Sequence, residues 1–200
     1  MNMNILVAGA TGKTGRKLVQ DLIDQGHWPT ALVRESSDTS ALPAGTGLRQ
    51  GDLTDLKAGV CDGMDAVVFA AGSGGSTGPE MTDKVDRDGA QRLVDLAREA
   101  GVARFVMLSS IGADQANPEG KLAHYLKAKH AADEHLKASG LTYAILRPVA
   151  LTDNGRSADV ILGEDVDKSA EASRADVAHV LAQAATTGCY DGQVLNMQSA

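Results

Sequence analysis

Cysteine, aromatic side chains and long apolar runs are all scarce in this 200-residue chain. Its two cysteines, Cys61 and Cys189, lie far apart and match no metal-ligand or redox spacing. A disulfide scaffold, a metal site and dithiol chemistry are therefore not expected, and both read as small apolar side chains in a reducing compartment. The six aromatics (Trp28, Phe69, Phe105, Tyr125, Tyr143, Tyr190) are too few and too scattered for a base-stacking platform. Positive charge is also short, with 19 basic against 26 acidic residues and a net charge of −7. That balance argues against a nucleic-acid backbone or an anionic membrane as partner. No apolar run approaches the ~18 residues of a membrane span. The opening segment, Met1 to Gly9, lacks a basic lead-in and runs straight into a strand-like stretch, so a secretory signal is not expected. The chain reads as a cytoplasmic protein, monomer or homodimer, whose partner is a small-molecule substrate.

At 43% hydrophobic and 22% charged, the composition is that of an ordinary globular protein. A chain of this length can bury roughly 70% of its unfolded surface, and one domain over residues 1–200 is expected. Short β-branched runs alternate with longer amphipathic stretches. Asn4–Ala8 is a continuous apolar run after its leading asparagine, as in a strand covered on both faces, and Gly12–Gln25 carries Leu18, Val19, Leu22 and Ile23 at one-face helical spacing. Further strands are expected at 29–33, 48–51, 66–70, 105–108, 143–146 and 194–197. Helices are expected at 85–100, 120–139 and 173–185, with a weak one around 54–60. Right-handed crossovers turn this alternation into a doubly wound parallel α/β sheet of about six to seven strands, with helices on both faces. The glycine-rich stretch 72–78 follows the fourth strand, where it would form a mobile rim of a crevice beyond the strand ends.

The strongest motif is Gly9-Ala-Thr-Gly12-Lys-Thr-Gly15, between the first strand and first helix. Glycines let the backbone approach a diphosphate, and the helix N-terminus offers unpaired amides and a positive dipole end. The Gly-x-x-Gly-x-x-Gly spacing departs from Gly-x-Gly-x-x-Gly, and the Walker pattern fails because Gly12-Lys13-Thr14 comes too early. At the end of the second strand stands Arg34, where an arginine suits the 2′-phosphate of NADP and an acidic residue the ribose hydroxyl of NAD. NADP is therefore expected, NAD less so, with Ser36, Ser37 and Lys13 as helpers and Glu35 as a local complication. Asp52 either receives the adenine amino group or caps a helix starting near Thr54. Ala70, Ala71 and Gly72 are small enough for close passage of a ribose, or simply form a tight turn.

At the reactive end, Ser109 and Ser110 close the fifth strand, and Tyr125 and Lys129 share one face of the following helix. A neighbouring ammonium favours phenolate and makes the tyrosine a usable proton donor to a carbonyl undergoing reduction. A serine hydroxyl can hold the substrate oxygen while a nicotinamide delivers hydride. His124 is an alternative donor, although a solvent-facing histidine is the simpler reading.

Together these residues resemble the short-chain dehydrogenase/reductase superfamily, and within it the atypical single-domain NAD(P)H-binding branch, NmrA-like or flavin reductase-like. The resemblance rests on the glycine motif, Gly51-Asp-Leu-Thr-Asp55, Val85-Asp-Arg-Asp-Gly89, Phe105–Ser110, Tyr125-x-x-x-Lys129, Tyr143–Pro148 and Ser173-Arg-Ala-Asp-Val177. It implies a single-domain Rossmann fold and an NADPH-dependent oxidoreductase acting on a small carbonyl, quinone or flavin-like acceptor. A non-catalytic NADP(H) sensor and an NAD-dependent sugar epimerase-like isomerase are the alternatives. Carried over, Gly9, Thr11, Gly12, Lys13, Thr14 and Gly15 would hold the diphosphate and Arg34 the 2′-phosphate. Asp52 and Leu53 would meet the adenine, and Ala70, Ala71 and Gly72 the ribose. Ser110 (with Ser109 beside the cofactor as its fallback), Tyr125 and Lys129 would be catalytic, Lys129 also binding cofactor. Pro148 and Val149 would border the nicotinamide. Only about fifty residues follow Pro148, so a small flap around 150–172 and a compact substrate are expected rather than a large substrate lobe.

Overall fold

The computed structural model describes residues 1–74, 77–157 and 159–200. Gly75 and Ser76 of the glycine-rich stretch and Ala158 of the flap lie outside the described residues.

β1 (Asn4–Ala8) shows why its sequence is apolar without alternation. Ile5 and Val7 enter one core beneath α1 (Lys13–Asp24) and α5 (Arg174–Thr187), while Leu6 and Ala8 enter another on the opposite face. The second core is roofed by α3 (Ala90–Glu99) and α4 (Ala123–Ala138), through Leu93, Val94, Ala97 and Leu136. Each fully buried leucine or valine of this kind stabilises by roughly 1.5–3 kcal/mol relative to an exposed one.

β1 pairs in parallel with β2 (Trp28–Val33) on one side and β4 (Ala66–Phe69) on the other. β3 (Gly47–Gln50) extends the first side, and β5 (Arg104–Leu108), β6 (Tyr143–Pro148) and β10 (Gln193–Ser199) extend the second, all parallel. β8 (Val160–Leu162) joins antiparallel to β10, giving the order β3-β2-β1-β4-β5-β6-β10-β8. The strand order reverses between β1 and β4. In a sheet of this kind the ligand crevice opens at that switch point, beyond the carboxyl ends of the strands. No described helix is long and apolar enough to cross a membrane.

Three features differ from the sequence reading. Among the described residues the sheet has eight strands, because the flap contributes β8, and the flap also forms a separate parallel pair, β7 (Ala150–Thr152) with β9 (Glu171–Ser173). The weak helix at 54–60 does not form: Asp52 bonds the Thr54 amide, Gly59 takes a positive φ, and Leu56 and Val60 turn into the core. Arg49 then pins this loop through the carbonyls of Val60 and Asp62. The helix expected from Val85 begins earlier, as α2 (Pro79–Thr82), and runs into a π-helical segment (Asp83–Gly89) before α3. Gly89 lets this helix lie against the loop after β3, since a Cβ there would stand 2.7 Å from the Leu53 carbonyl oxygen. A π segment is uncommon and often marks a functional site; here it carries Asp86 into the interior.

Candidate active site

The three motif glycines do different work. A Cβ on Gly9 (φ +84°) would lie 2.6 Å from the Ala70 carbonyl oxygen, and one on Gly15 would lie 2.0 Å from the Gly9 carbonyl oxygen. Both are required by the fold's own close packing. Gly12 is not: its backbone is extended (φ −73°, ψ 169°), and a Cβ would meet the Gly9 oxygen alone, at 3.2 Å. Glycine at position 12 therefore keeps space free in the cleft. Behind it, the amides of Lys13, Thr14 and Gly15 open α1 without intrahelical acceptors, and no side chain of the described residues caps them.

The cleft holds about 510 Å³. Gly9, Thr11 and Gly12 line it from β1; Leu32, Arg34 and Ser37 from β2; Gly51, Asp52, Leu53 and Thr54 from β3; and Ala70, Ala71 and Gly72 from β4. The helix side closes with Met81 and Val85. Ten of the residues singled out in the sequence, Ser37 among them, thus face one space. The Arg34 side chain is exposed and makes no ion pair or side-chain hydrogen bond among the described residues, and Glu35 does not claim it. The Arg34 amide donates to Ser37 Oγ (3.0 Å), which folds the serine back under the arginine. Asp52 caps no helix. Its Oδ1 accepts from the Thr54 amide and hydroxyl, which hold its carboxyl below the usual range, and Oδ2 takes no bond from the described residues.

Lys13, Thr14 and Gly15 lie behind the cleft wall. Thr14 is buried, Gly15 packs on Gly9, and the Lys13 ammonium is bonded to Asp153 on the flap. Pro148 ends β6 and Val149 follows it, both buried, tied by the Pro148 carbonyl to the Ile111 amide and by the Val149 amide to the Met197 carbonyl.

Tyr125 and Lys129 sit one turn apart on α4, with the ammonium 5.6 Å from the Tyr125 ring centre and 5.5 Å from that of Phe69. Lys129 is nearly fully buried. It pairs with Asp86 at 3.0 Å and donates to the carbonyl of Ala71 (3.4 Å), which itself lines the cleft. Burial alone would lower the lysine pKa. The Tyr125 phenol and the Asp86 carboxylate outweigh it, leaving Lys129 above the ordinary range. Asp86 also accepts from the Ser73 amide (2.9 Å), so one carboxylate ties the loop after β4 to Lys129.

The two serines separate by environment. Ser109 is buried and donates to Asp133 Oδ2 (2.8 Å), the oxygen that also receives Arg147 Nε (3.0 Å) and Nη2 (2.9 Å). Burial raises the Asp133 carboxyl pKa against the pull of Arg147 and Ser109. Ser110 is half-buried, and among the described residues its hydroxyl reaches only the adjacent Ile111 carbonyl, at 3.3 Å. His124 bonds the Pro79 carbonyl and pairs with Asp83.

The sequence reading gave no role to Asp86, Asp133, Arg147, Asp153 or Arg174, although Asp86, Arg147 and Arg174 stand inside motifs it quoted. Two of them left a signal: Arg147 is a charge inside an apolar strand, and Asp133 continues the Tyr125–Lys129 stripe by another turn.

The sequence pattern that defines the NAD(P)H-binding family matches residues 9–187. The chain belongs to that family. The uncharacterized sugar epimerase YhfK of Bacillus subtilis is 38% identical over 184 residues, covering 88% of this chain and 85% of that protein. A Bacillus halodurans structure provisionally named an NAD-dependent epimerase/dehydratase superposes with a TM-score of 0.93 at 32% identity, covering 100% of this chain and 95% of that one. The oxidoreductase ylbE of Lactococcus lactis superposes at 0.87 with 30% identity, covering 99% and 91%. This is a nicotinamide-cofactor family of oxidoreductase and epimerase-like proteins on the Rossmann fold, and the cleft at the switch point carries its glycine motif.

Proposed function

We propose that the protein is an NADPH-dependent oxidoreductase that reduces a small carbonyl, quinone or flavin-like acceptor. The observation that carries this reading is the Tyr125–Lys129 pair, joined to the cleft wall through the Ala71 carbonyl. The cleft fits the cofactor in three respects: open space at Gly12, an unengaged guanidinium at Arg34 for a 2′-phosphate, and a free Asp52 oxygen for the adenine amino group. The first turn of α1 would hold the diphosphate on its amides.

Bound there, the cofactor supplies a hydride. Tyr125 donates its hydroxyl proton to the acceptor oxygen, and the fixed positive charge of Lys129 favours the phenolate left behind. Ser110 hydrogen-bonds the same oxygen and orients it. Replacing Tyr125 by Phe keeps NADPH binding and lowers carbonyl reduction by ~10²-fold or more. The assay follows NADPH absorbance with aldehydes, quinones and flavins on both proteins. Unchanged turnover with carbonyl acceptors removes Tyr125 from the chemistry.

One observation favours a second reading. The Lys129 ammonium is already held by Asp86, which suits a cofactor-binding sensor as well as an enzyme. NADPH binding without turnover across the whole panel supports that alternative.

A further inference from the structure

Directly behind the cleft wall lies an ion pair that water does not reach. Asp86 is 0% exposed and Lys129 2%, with Asp86 Oδ1 3.0 Å from Lys129 Nζ. Oδ1 has no other partner among the described residues, and Oδ2 receives the Ser73 amide. Three consecutive residues of the wall touch the pair. The Ala71 carbonyl accepts from Lys129, Ser73 donates to Asp86, and a Cβ on Gly72 would stand 3.4 Å from Asp86 Oδ1. On the other side the ammonium faces the rings of Tyr125 and Phe69.

Burial by itself drives a lysine toward the neutral amine. A charged Lys129 therefore needs an anion beside it, and the fold offers few. From its own helix it faces the Tyr125 phenol and Asp133. Asp133 is already committed to Arg147 of β6 and to the Ser109 hydroxyl. Asp83, on the same π segment as Asp86, turns outward to Arg87 and His124. The Phe69 ring and the Ala71 carbonyl carry no net charge. Asp86 is left as the counterion, and the π segment places it in the interior.

We propose that Asp86 is a positioning residue for Tyr125: it keeps Lys129 an ammonium and holds that charge between the Tyr125 ring and the Ala71–Ser73 wall of the cleft. The consequence for turnover rests on the proposed role of Tyr125 as proton donor; the hold on Lys129 does not. Without the carboxylate, Lys129 becomes a neutral amine as pH rises, and the phenolate left by proton donation loses its stabilising charge.

Asp86→Asn removes the charge while keeping the shape and an oxygen for the Ser73 amide. Lysine labelled with carbon-13 at Cε reports the Lys129 ionisation by NMR in this variant and in wild type, and Lys129→Met assigns the signal. Lys129 should titrate at lower pH in Asp86→Asn, by about 1 pH unit or more. Denaturant unfolding supplies a second sign. In Asp86→Asn the folded chain loses the Lys129 proton before the unfolded chain does, so its stability deficit against wild type narrows from about pH 7 to about pH 10. Asp86→Asn/Lys129→Met lacks that slope. An Asp86→Asn chain too unstable to study near neutrality is recovered at the alkaline end. In NADPH-linked benzaldehyde reduction, kcat of Asp86→Asn near pH 8 should fall about 10-fold or more with KM within about 3-fold, the deficit narrowing toward lower pH. An unchanged Lys129 titration, a stability deficit constant with pH, or a kcat deficit equal at every pH overturns the proposal. If wild type reduces no acceptor while titration and stability follow the expected order, the reductase reading fails and the hold of Asp86 on Lys129 stands.

Discussion

Alanine at position 12 should separate binding from folding, because that glycine is dispensable to the protein's own packing. In extended backbone, Gly→Ala stabilises by ~0.4–1 kcal/mol through the unfolded chain, which offsets a methyl placed 3.2 Å from the Gly9 oxygen. The melting temperature of Gly12→Ala should stay within about 3 °C of wild type. The same methyl would enter the cleft that Gly12 lines, at the start of α1, where the diphosphate is proposed to lie. Charge-assisted hydrogen bonds there are worth roughly 1.5–3 kcal/mol each, so losing one weakens NADPH about 10- to 100-fold. Gly15→Ala is the control with the opposite outcome. Its Cβ would lie 2.0 Å from a backbone oxygen, and overpacking of about 1–3 kcal/mol or more exceeds the ~1 kcal/mol that alanine gains in a helix. At roughly 2–4 °C per kcal/mol, the melting temperature falls by about 5 °C. Thermal melts and NADPH titrations on the three proteins decide the matter. Wild-type affinity in Gly12→Ala, or a loss of stability equal to that of Gly15→Ala, refutes the reasoning.

Arg34→Gln removes the unengaged guanidinium, and should weaken NADPH by about 10- to 100-fold while leaving NADH within about 2-fold; parallel titrations with both cofactors test this. Arg147→Leu strands the fully buried Asp133 without its cation. It should cost about 3–5 kcal/mol, read as a denaturant midpoint shift, and Ser109→Ala should cost much less because Arg147 still satisfies the carboxylate. Lys129 has a folded pKa above its ordinary 10.5. Its contribution to stability is therefore complete below pH 10.5 and is lost only as pH rises through the higher folded value. An alkaline loss of stability that begins below pH 10 and disappears in Lys129→Met contradicts this.

The parallel sheet and the grouping of residues that line the cleft were legible because their signals are local. A glycine motif between a strand and a helix, and small residues where β4 ends, carry their meaning within a few positions. The surroundings of Tyr125 and Lys129 were legible only in outline. Tyr125 and Lys129 are one helical turn apart and could be paired from spacing, but the Asp86 that grips Lys129 comes from another helix, 43 positions earlier. Its presence depends on a π segment that no apolar period announces. The adjacent serines could not be ranked from sequence, because Ser109 turns to Asp133 through a contact 24 residues distant. The flap strands are three residues each, too short for a period to appear. They exist through pairing with each other or with β10. Lys13 shows how a side chain can diverge from its motif: its neighbour Gly12 faces the cleft, while its own ammonium turns to the flap.

Crystals grown in millimolar NADPH test the central claim most directly. The account requires the diphosphate against the first turn of α1, the 2′-phosphate on Arg34, and the nicotinamide end directed toward Tyr125 and Ser110. An empty cleft, or a nicotinamide turned away from the Tyr125 hydroxyl, contradicts it.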